Sequence, residues 1–143
     1  MTPSRAIVLY DHDCGFCRWT LGLLLAWDRG RRLWPAPIEG PIGERWLVGM
    51  PVGERLASWH LVEEGGAVSS AGAGLGVVLE YVPGGTVVAR PLRLVPGVVE
   101  RAYRFVADHR SAFSRFVPRA WVRAMSARVA AREAEAPPAW ARS

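Results

Sequence analysis

The sequence contains no lysine, and its eighteen basic residues are all arginines. Their distribution is uneven: residues 1–100 carry nine arginines against ten acidic residues, whereas residues 101–143 carry nine against three, a net of +6. The basic excess therefore describes the C-terminal third and not the main part of the chain. The seven tryptophans are not interleaved with arginine as in a base-stacking surface, so we expect no nucleic-acid partner.

Long apolar runs are also missing. The longest, from Leu21 to Trp27, falls far short of the roughly 18 residues that a membrane-crossing helix requires. Between Arg5 and Asp11 there is no room for the ~7–15-residue apolar core of a secretory signal, which predicts a cytoplasmic protein. With 143 residues, half of them hydrophobic, the chain is long enough for one globular core and too short for two ordinary domains.

Only two cysteines occur, and both lie in one window, Cys14-Gly15-Phe16-Cys17. In a reducing compartment such a pair is typical of a redox-active or metal-binding site rather than of a structural disulfide. The window follows an apolar run, Ala6 to Tyr10, which predicts a strand buried on both faces. Leu21 and Leu24 continue from Cys17 at helical spacing, which predicts a helix from about Cys14 to Arg29.

Turn glycines and apolar periodicity predict the remaining elements. These are a proline-containing edge strand at 33–38, a short helix within 39–53, a hairpin of 57–63 and 67–69, and helices at 71–82, 96–109 and 118–136. This succession predicts an α/β fold with a thioredoxin-like sheet flanked by helices. We expect the thioredoxin-like domain at residues 1–90, a helical extension packed on it at 91–117, and a basic amphipathic helix with a frayed tail at 118–143.

The position of Cys14 between a strand and a helix predicts an activated thiol. Free N–H groups and the helix dipole lower a thiol pKa there from ~8.5 to between ~3.5 and ~7.5. Nearby carboxylates oppose this effect, whereas Arg18 and a protonated His12 favour the thiolate. We expect Cys14 to attack a disulfide and Cys17, one turn later and less accessible, to resolve the mixed disulfide.

The two aspartates of the turn have separate expected roles. Asp13 is the predicted N-cap of the helix, and Asp11, at the end of a buried strand, is expected to move a proton to or from Cys17. Phe16 is a candidate substrate contact. No organic cofactor is required because the dithiol is the redox group, and reducing power would come from a reductase or a small-thiol partner.

Residues 10–19, Tyr-Asp-His-Asp-Cys-Gly-Phe-Cys-Arg-Trp, resemble the signature of the DCC family of thiol-disulfide oxidoreductases, named for its Asp-x-x-Cys-x-x-Cys motif. Asp11, Cys14 and Cys17 occupy the matching positions. The similarity extends over about residues 5–117 and includes the stretch from Tyr103 to Arg110. It implies a thioredoxin-like fold and a dithiol activity.

One departure from thioredoxins concerns the substrate. Thioredoxins carry a cis-proline just before the strand that faces the cysteines, where this sequence has Leu56-Ala57-Ser58. Either Ser58 substitutes in a different way, or the partner is not an ordinary protein disulfide.

Two other functions remain open. Cys14 and Cys17 with His12 or Asp13 could bind Zn²⁺ or a soft metal, as in a metal-binding or metal-delivery module. A closed structural site would need a fourth ligand from far along the chain, such as His60 or His109. Alternatively, the basic C-terminal helix could make a peripheral contact with an anionic membrane or a partner, although a solvated helix covering the back of the domain is the simpler interpretation.

Overall fold

The computed structural model describes residues 4–142, so the outermost ends of the predicted segments, residues 1–3 and 143, lie outside the described residues. In chain order the elements are β1 (Ala6–Tyr10), α1 (Gly15–Trp27), β2 (Leu33–Pro37), α2 (Pro41–Trp46), α3 (Val52–Ala57), β3 (His60–Val62), β4 (Val68–Ser70), α4 (Ala71–Val78), α5 (Gly85–Leu94), α6 (Pro96–Asp108), α7 (Arg110–Ser114) and α8 (Arg119–Glu133). Short 3-10 turns span Leu79–Tyr81 and Ala139–Arg142. The predicted α/β class, with a sheet flanked by helices and additional C-terminal helices, is confirmed.

The strands form one mixed sheet in the order β2-β1-β3-β4. β1 runs parallel to β2, and β3 runs antiparallel to both β1 and β4. β2 lies at an edge, where its two prolines cost no ladder hydrogen bonds. The β3–β4 hairpin turns through Gly65 and Gly66, whose φ angles of 100° and 89° suit glycine. The predicted edge strand and hairpin are therefore confirmed, but the first strand of the hairpin begins at His60 rather than at Ala57, which ends α3.

The sheet separates two hydrophobic cores, because alternate residues of a strand face opposite sides. From β1, Val8 and Tyr10 join the core beneath α1, α4 and α8, whereas Ile7 and Leu9 join the core on the other face. Every residue of β1 is buried, as its continuous apolar run predicts. This central strand ends in the turn that carries the cysteine motif.

The glycine-rich helix α4 packs closely on its neighbours. A Cβ on Gly72 would lie 2.9 Å from the Cα of Glu100, and one on Gly74 would lie 3.0 Å from the Trp59 ring. These approaches explain why helix-weakening glycines occur there. The Ser70 hydroxyl does not cap α4; it lies 2.6 Å from Nδ1 of the buried His60.

α8 packs along α1 and covers the back of the domain. Met125 approaches Gly22 so closely that a Cβ on this glycine would lie 2.5 Å from the Met125 Cβ. Arg132, only 6% exposed, donates to the Asp28 carboxylate at 2.8 Å. Part of the positive charge expected on an exposed basic helix is thus buried and paired inside the fold.

Two expectations about elements were wrong. The segment expected to hold one short helix contains two, α2 and α3. α5 was not predicted because it begins after a glycine pair and contains Pro91, both signals of a break. The tail, which we expect to fray, makes two contacts: the Trp140 indole donates to the Arg5 carbonyl at 2.9 Å and packs edge-on against Trp46.

Candidate functional site

Cys14 is the N-cap residue of α1. Its backbone is extended, with φ −92° and ψ 109°, and its Sγ accepts a hydrogen bond from the Cys17 N–H at 3.3 Å. The capping role predicted for Asp13 is therefore wrong; the Asp13 N–H instead donates to Asp11 Oδ1 at 3.1 Å. The turn after β1 thus places the first sulfur at the positive end of the helix.

The two cysteines are free thiols in direct contact. The Cys17 thiol donates to Cys14 Sγ across 2.6 Å, and both side chains are half-buried. The spacing of one helical turn has brought the sulfurs to the same side of α1.

The contact between the two sulfurs gives the two thiols different pKa values. The pKa of Cys14 is lowered to about 6, first because the Cys17 thiol donates to its sulfur, then through the Cys17 N–H and the positive charge of Arg110, while burial and Asp11 act in the opposite direction. The pKa of Cys17 is raised, because its proton is held by Cys14 and because burial disfavours its charged form. A pKa near 6 for Cys14 and a raised pKa for Cys17 favour a thiolate on Cys14 and a thiol on Cys17 at neutral pH.

Arg110 supplies the cation that sequence reasoning assigned to Arg18. It begins α7, is 33% exposed, and has a guanidinium nitrogen 3.8 Å from Asp11 Oδ2. Arg18 instead donates to the His12 carbonyl at 2.6 Å and to Ser126 Oγ at 3.2 Å. The only sequence signal for Arg110 is the family-like stretch that ends on it, because nothing in its local pattern indicates a return to the cysteine turn.

Asp11 lies beside the cysteine pair. Its side chain is 17% exposed and lines the same cavity as Cys17. Its charge disfavours both thiolates, in the direction predicted from sequence. Its role in moving a proton stays a prediction.

An apolar cavity of about 310 Å³ opens next to Cys17, between the sheet and helices α1, α4 and α6. The cavity is lined by Val8, Tyr10, Asp11, Phe16, Cys17, Thr20, Leu21, Leu24, Ser58, Trp59, Leu75, Val78, Leu79, Tyr103, Val106, Ala107 and Arg110. Phe16 is half-buried at its wall and stacks on Phe113, with ring centroids 6.1 Å apart. Sequence reasoning missed this cavity because residues from five separate elements form it.

The metal-binding alternative needs at least one ligand in addition to the two cysteines. Within residues 4–142, no group of three or more His, Cys, Asp or Glu side chains is arranged to hold a metal ion. His60, a distant candidate ligand, lies buried between Ser70 Oγ and the Arg55 carbonyl. The metal-binding module stays an alternative prediction.

None of the helices within residues 4–142 combines the length and apolarity needed to cross a bilayer.

Comparison with known proteins gives one finding. The DCC1-like thiol-disulfide oxidoreductase family matches the chain over residues 8–116. No curated protein and no solved structure matches it. The matched range begins within β1 and ends after α7, so it includes both cysteines, Asp11 and Arg110 but not α8.

Proposed function

Because this chain belongs to the DCC1-like thiol-disulfide oxidoreductase family, we propose that it carries out thiol-disulfide exchange with Cys14 and Cys17 as its redox group. The observation that carries the proposal is the 2.6 Å contact between the two sulfurs, in which the second thiol stabilises the first as a thiolate. A thiolate at a helix N-terminus is the reactive species in such exchange.

The reaction follows from the different acidities of the two sulfurs. The Cys14 thiolate attacks one sulfur of a disulfide, forming a mixed disulfide and releasing the other half as a thiolate. Cys17 then loses its proton, attacks Cys14 Sγ and releases the second half, which leaves a Cys14–Cys17 disulfide. Asp11, lining the cavity beside Cys17, is the proposed acceptor of the Cys17 proton.

The surrounding fold supports this assignment. The chain order of strand, cysteine-bearing helix, strand, hairpin and helix is the succession on which the thioredoxin-like prediction rests. The proposed cycle needs no organic cofactor, because two thiols carry both electrons. A small thiol or a reductase returns the oxidised pair to the dithiol.

Alkylation against pH tests the first step. Iodoacetamide reacts with thiolates, so the rate of Cys14 modification should reach half its plateau near pH 6 and fall about tenfold for each further pH unit of acidification. Cys17→Ala removes the thiol donor and should move this midpoint up toward ~8.5, the value of a free thiol. A midpoint at or above ~8.5 in the unmodified chain contradicts the proposal.

Turnover gives the complementary measurement. With a dithiol reductant, the protein should reduce bis(2-hydroxyethyl) disulfide, and Cys14→Ser should abolish the reaction. Retention of activity in Cys14→Ser would assign the chemistry to another group.

A further inference from the structure

The cavity beside Cys17 has the properties of a small-molecule site. Its volume of about 310 Å³ lies at the lower end of the roughly 300–1,000 Å³ range of ligand pockets. Its lining is largely apolar and includes Leu21, Leu24, Leu75 and Val78. The same lining contains Asp11, Arg110 and Cys17, and a few polar groups in an apolar pocket are the usual arrangement for orienting a ligand with an apolar body.

The backbone near the cavity is poorly placed to bind a peptide. An extended chain would dock by pairing with a free strand or strand-like segment. Trp59, just before β3, already donates its N–H to the Tyr103 hydroxyl at 3.4 Å. Its carbonyl accepts from the Ala71 N–H at 3.4 Å. Both main-chain groups of this residue are therefore used within the fold, and α6 covers the segment.

Access to the sulfurs is compatible with a compact substrate. Cys17 lines the cavity, and Cys14 Sγ lies 2.6 Å from Cys17 Sγ. A molecule whose apolar group fills the cavity would thus hold a disulfide at the mouth, within reach of the Cys14 thiolate. A disulfide of a folded protein that reached the sulfurs at this mouth would leave the apolar cavity unfilled.

We propose that the substrate of the dithiol is a low-molecular-weight disulfide carrying an apolar group, such as an aromatic or branched alkyl group, that binds in the cavity lined by Cys17, Trp59, Tyr103 and Ala107. This inference rests on the proposed function and adds its substrate class.

Reduction of the substrate by the dithiol is balanced in atoms and electrons and needs no other reactant. The Cys14 thiolate bonds to one substrate sulfur as the substrate S–S bond breaks, and the first half leaves as a thiolate. Cys17 then gives up its proton, through Asp11, to a leaving sulfur. Its sulfur bonds to Cys14 Sγ as the S–S bond of the mixed disulfide breaks, and the second half of the substrate is released. Two electrons pass from the dithiol to the substrate, giving one thiol and one thiolate.

Two alkyl disulfides test the preference. The reduced protein is mixed with dibenzyl disulfide or bis(2-hydroxyethyl) disulfide in the same co-solvent, and single-turnover oxidation is followed by the loss of titratable thiol. Each rate constant is divided by that of free dithiothreitol with the same disulfide, which removes differences in intrinsic reactivity. The corrected ratio should favour dibenzyl disulfide by about tenfold or more, as for an apolar group entering a fitted pocket.

Variants on one helix connect this preference to the cavity. Ala107→Phe fills the cavity from α6 and should bring the corrected ratio close to one. Ala102→Phe, at an exposed position of the same helix outside the lining, should leave it unchanged. If Ala107→Phe does not fold, Val106→Trp fills the same space from a position that is 37% exposed.

Direct binding gives a readout without chemistry. Bibenzyl, which has no sulfur, should raise the melting temperature of Cys14→Ser, and Ala107→Phe in that background should remove the shift. A corrected ratio near one in the unmodified chain, or faster oxidation by a protein disulfide such as insulin, overturns the substrate class while leaving the proposed function intact. Reduction of no disulfide at all overturns both.

Discussion

Among single side chains, Cys17 has two proposed functions that depend on the same proton. While it holds the proton, its thiol donates to Cys14 and lowers the pKa of the attacking sulfur to about 6. After the mixed disulfide forms, that acceptor is no longer a thiolate, so the stabilisation of the Cys17 thiol form is lost. The pKa of Cys17 should then fall, which makes its own thiolate available when it is needed.

Arg110 is a positioning residue whose contribution can be measured. Arg110→Met removes the cation that favours the Cys14 thiolate and leaves the nearby Asp11 charge unpaired, so the pKa of Cys14 should rise. Arg110 ranks below the Cys17 hydrogen bonds among the causes, so the alkylation midpoint should move up by less than about one pH unit.

Charge-preserving and distant variants separate electrostatics from folding. Arg110→Lys should restore most of the midpoint, since it keeps the positive charge. Arg115→Met, at an exposed position five residues later, should leave the midpoint in place. An unchanged midpoint in Arg110→Met would remove Arg110 from the site.

Helices that follow the sheet complete the site. α6 supplies Tyr103 and Ala107 to the cavity wall, and α7 begins with Arg110. The boundary predicted at residue 90 therefore separates two parts that meet at the cysteines. The domain limits stay predictions, although the site draws on both sides of this one.

The packing of α8 on α1 depends on the absence of a side chain at residue 22. Gly22→Ala would place a Cβ 2.5 Å from Met125 Cβ and 2.8 Å from the Met125 carbonyl oxygen, so the helices would have to separate. The overpacking should destabilise the protein by about 1–3 kcal/mol, more than the helix propensity gained. Urea unfolding followed by tryptophan fluorescence measures the change.

A glycine without neighbours provides the control. Gly53→Ala in α3 meets no heavy atom within 4 Å, so it should be neutral or stabilising by up to about 1 kcal/mol. Equal effects of the two substitutions would show that the α1–α8 contact is looser than the structure indicates.

For the molecule as a whole, residues near the two ends of the described chain, Arg5 and Trp140, are in contact. Trp140 bonds to the Arg5 carbonyl and packs with the core on the face of the sheet opposite α1. On the other face, Asp28 joins α1, β2 and α8, because its carboxylate accepts from the Leu33 N–H and from Arg132. Such closure across the chain is expected to make unfolding cooperative.

Trp140→Ala removes the contacts between the C-terminal segment and Arg5 and should lower the free energy of unfolding. Trp140 is half-buried, so the loss should be about 2–3 kcal/mol, below the ~3–5 kcal/mol of a fully buried tryptophan. Trp121→Ala, on α8 with 60% of the side chain exposed, should change stability by less than about 0.5 kcal/mol. Thermal unfolding compares the two, and a loss as small for Trp140 as for Trp121 would support a frayed tail.

Local sequence patterns were sufficient to predict much of the fold. The apolar run at Ala6–Tyr10 predicts the central strand, paired turn glycines predict the hairpin, and the cysteine spacing places both sulfurs on one face of α1. These features depend on interactions between residues close in sequence, whose geometry a short window largely specifies. The α/β class and the reactive pair could therefore be predicted.

Contacts between segments that are distant in sequence could not be predicted from local patterns. Cys14 rather than Asp13 caps α1, because the extended conformation of the turn aims its sulfur at the Cys17 N–H. Arg110 reaches Asp11 across almost the whole domain, and the cavity exists only where α6 closes over the sheet. Several arginines could have reached the cysteines with similar local patterns, and packing of the helices selects the one that does.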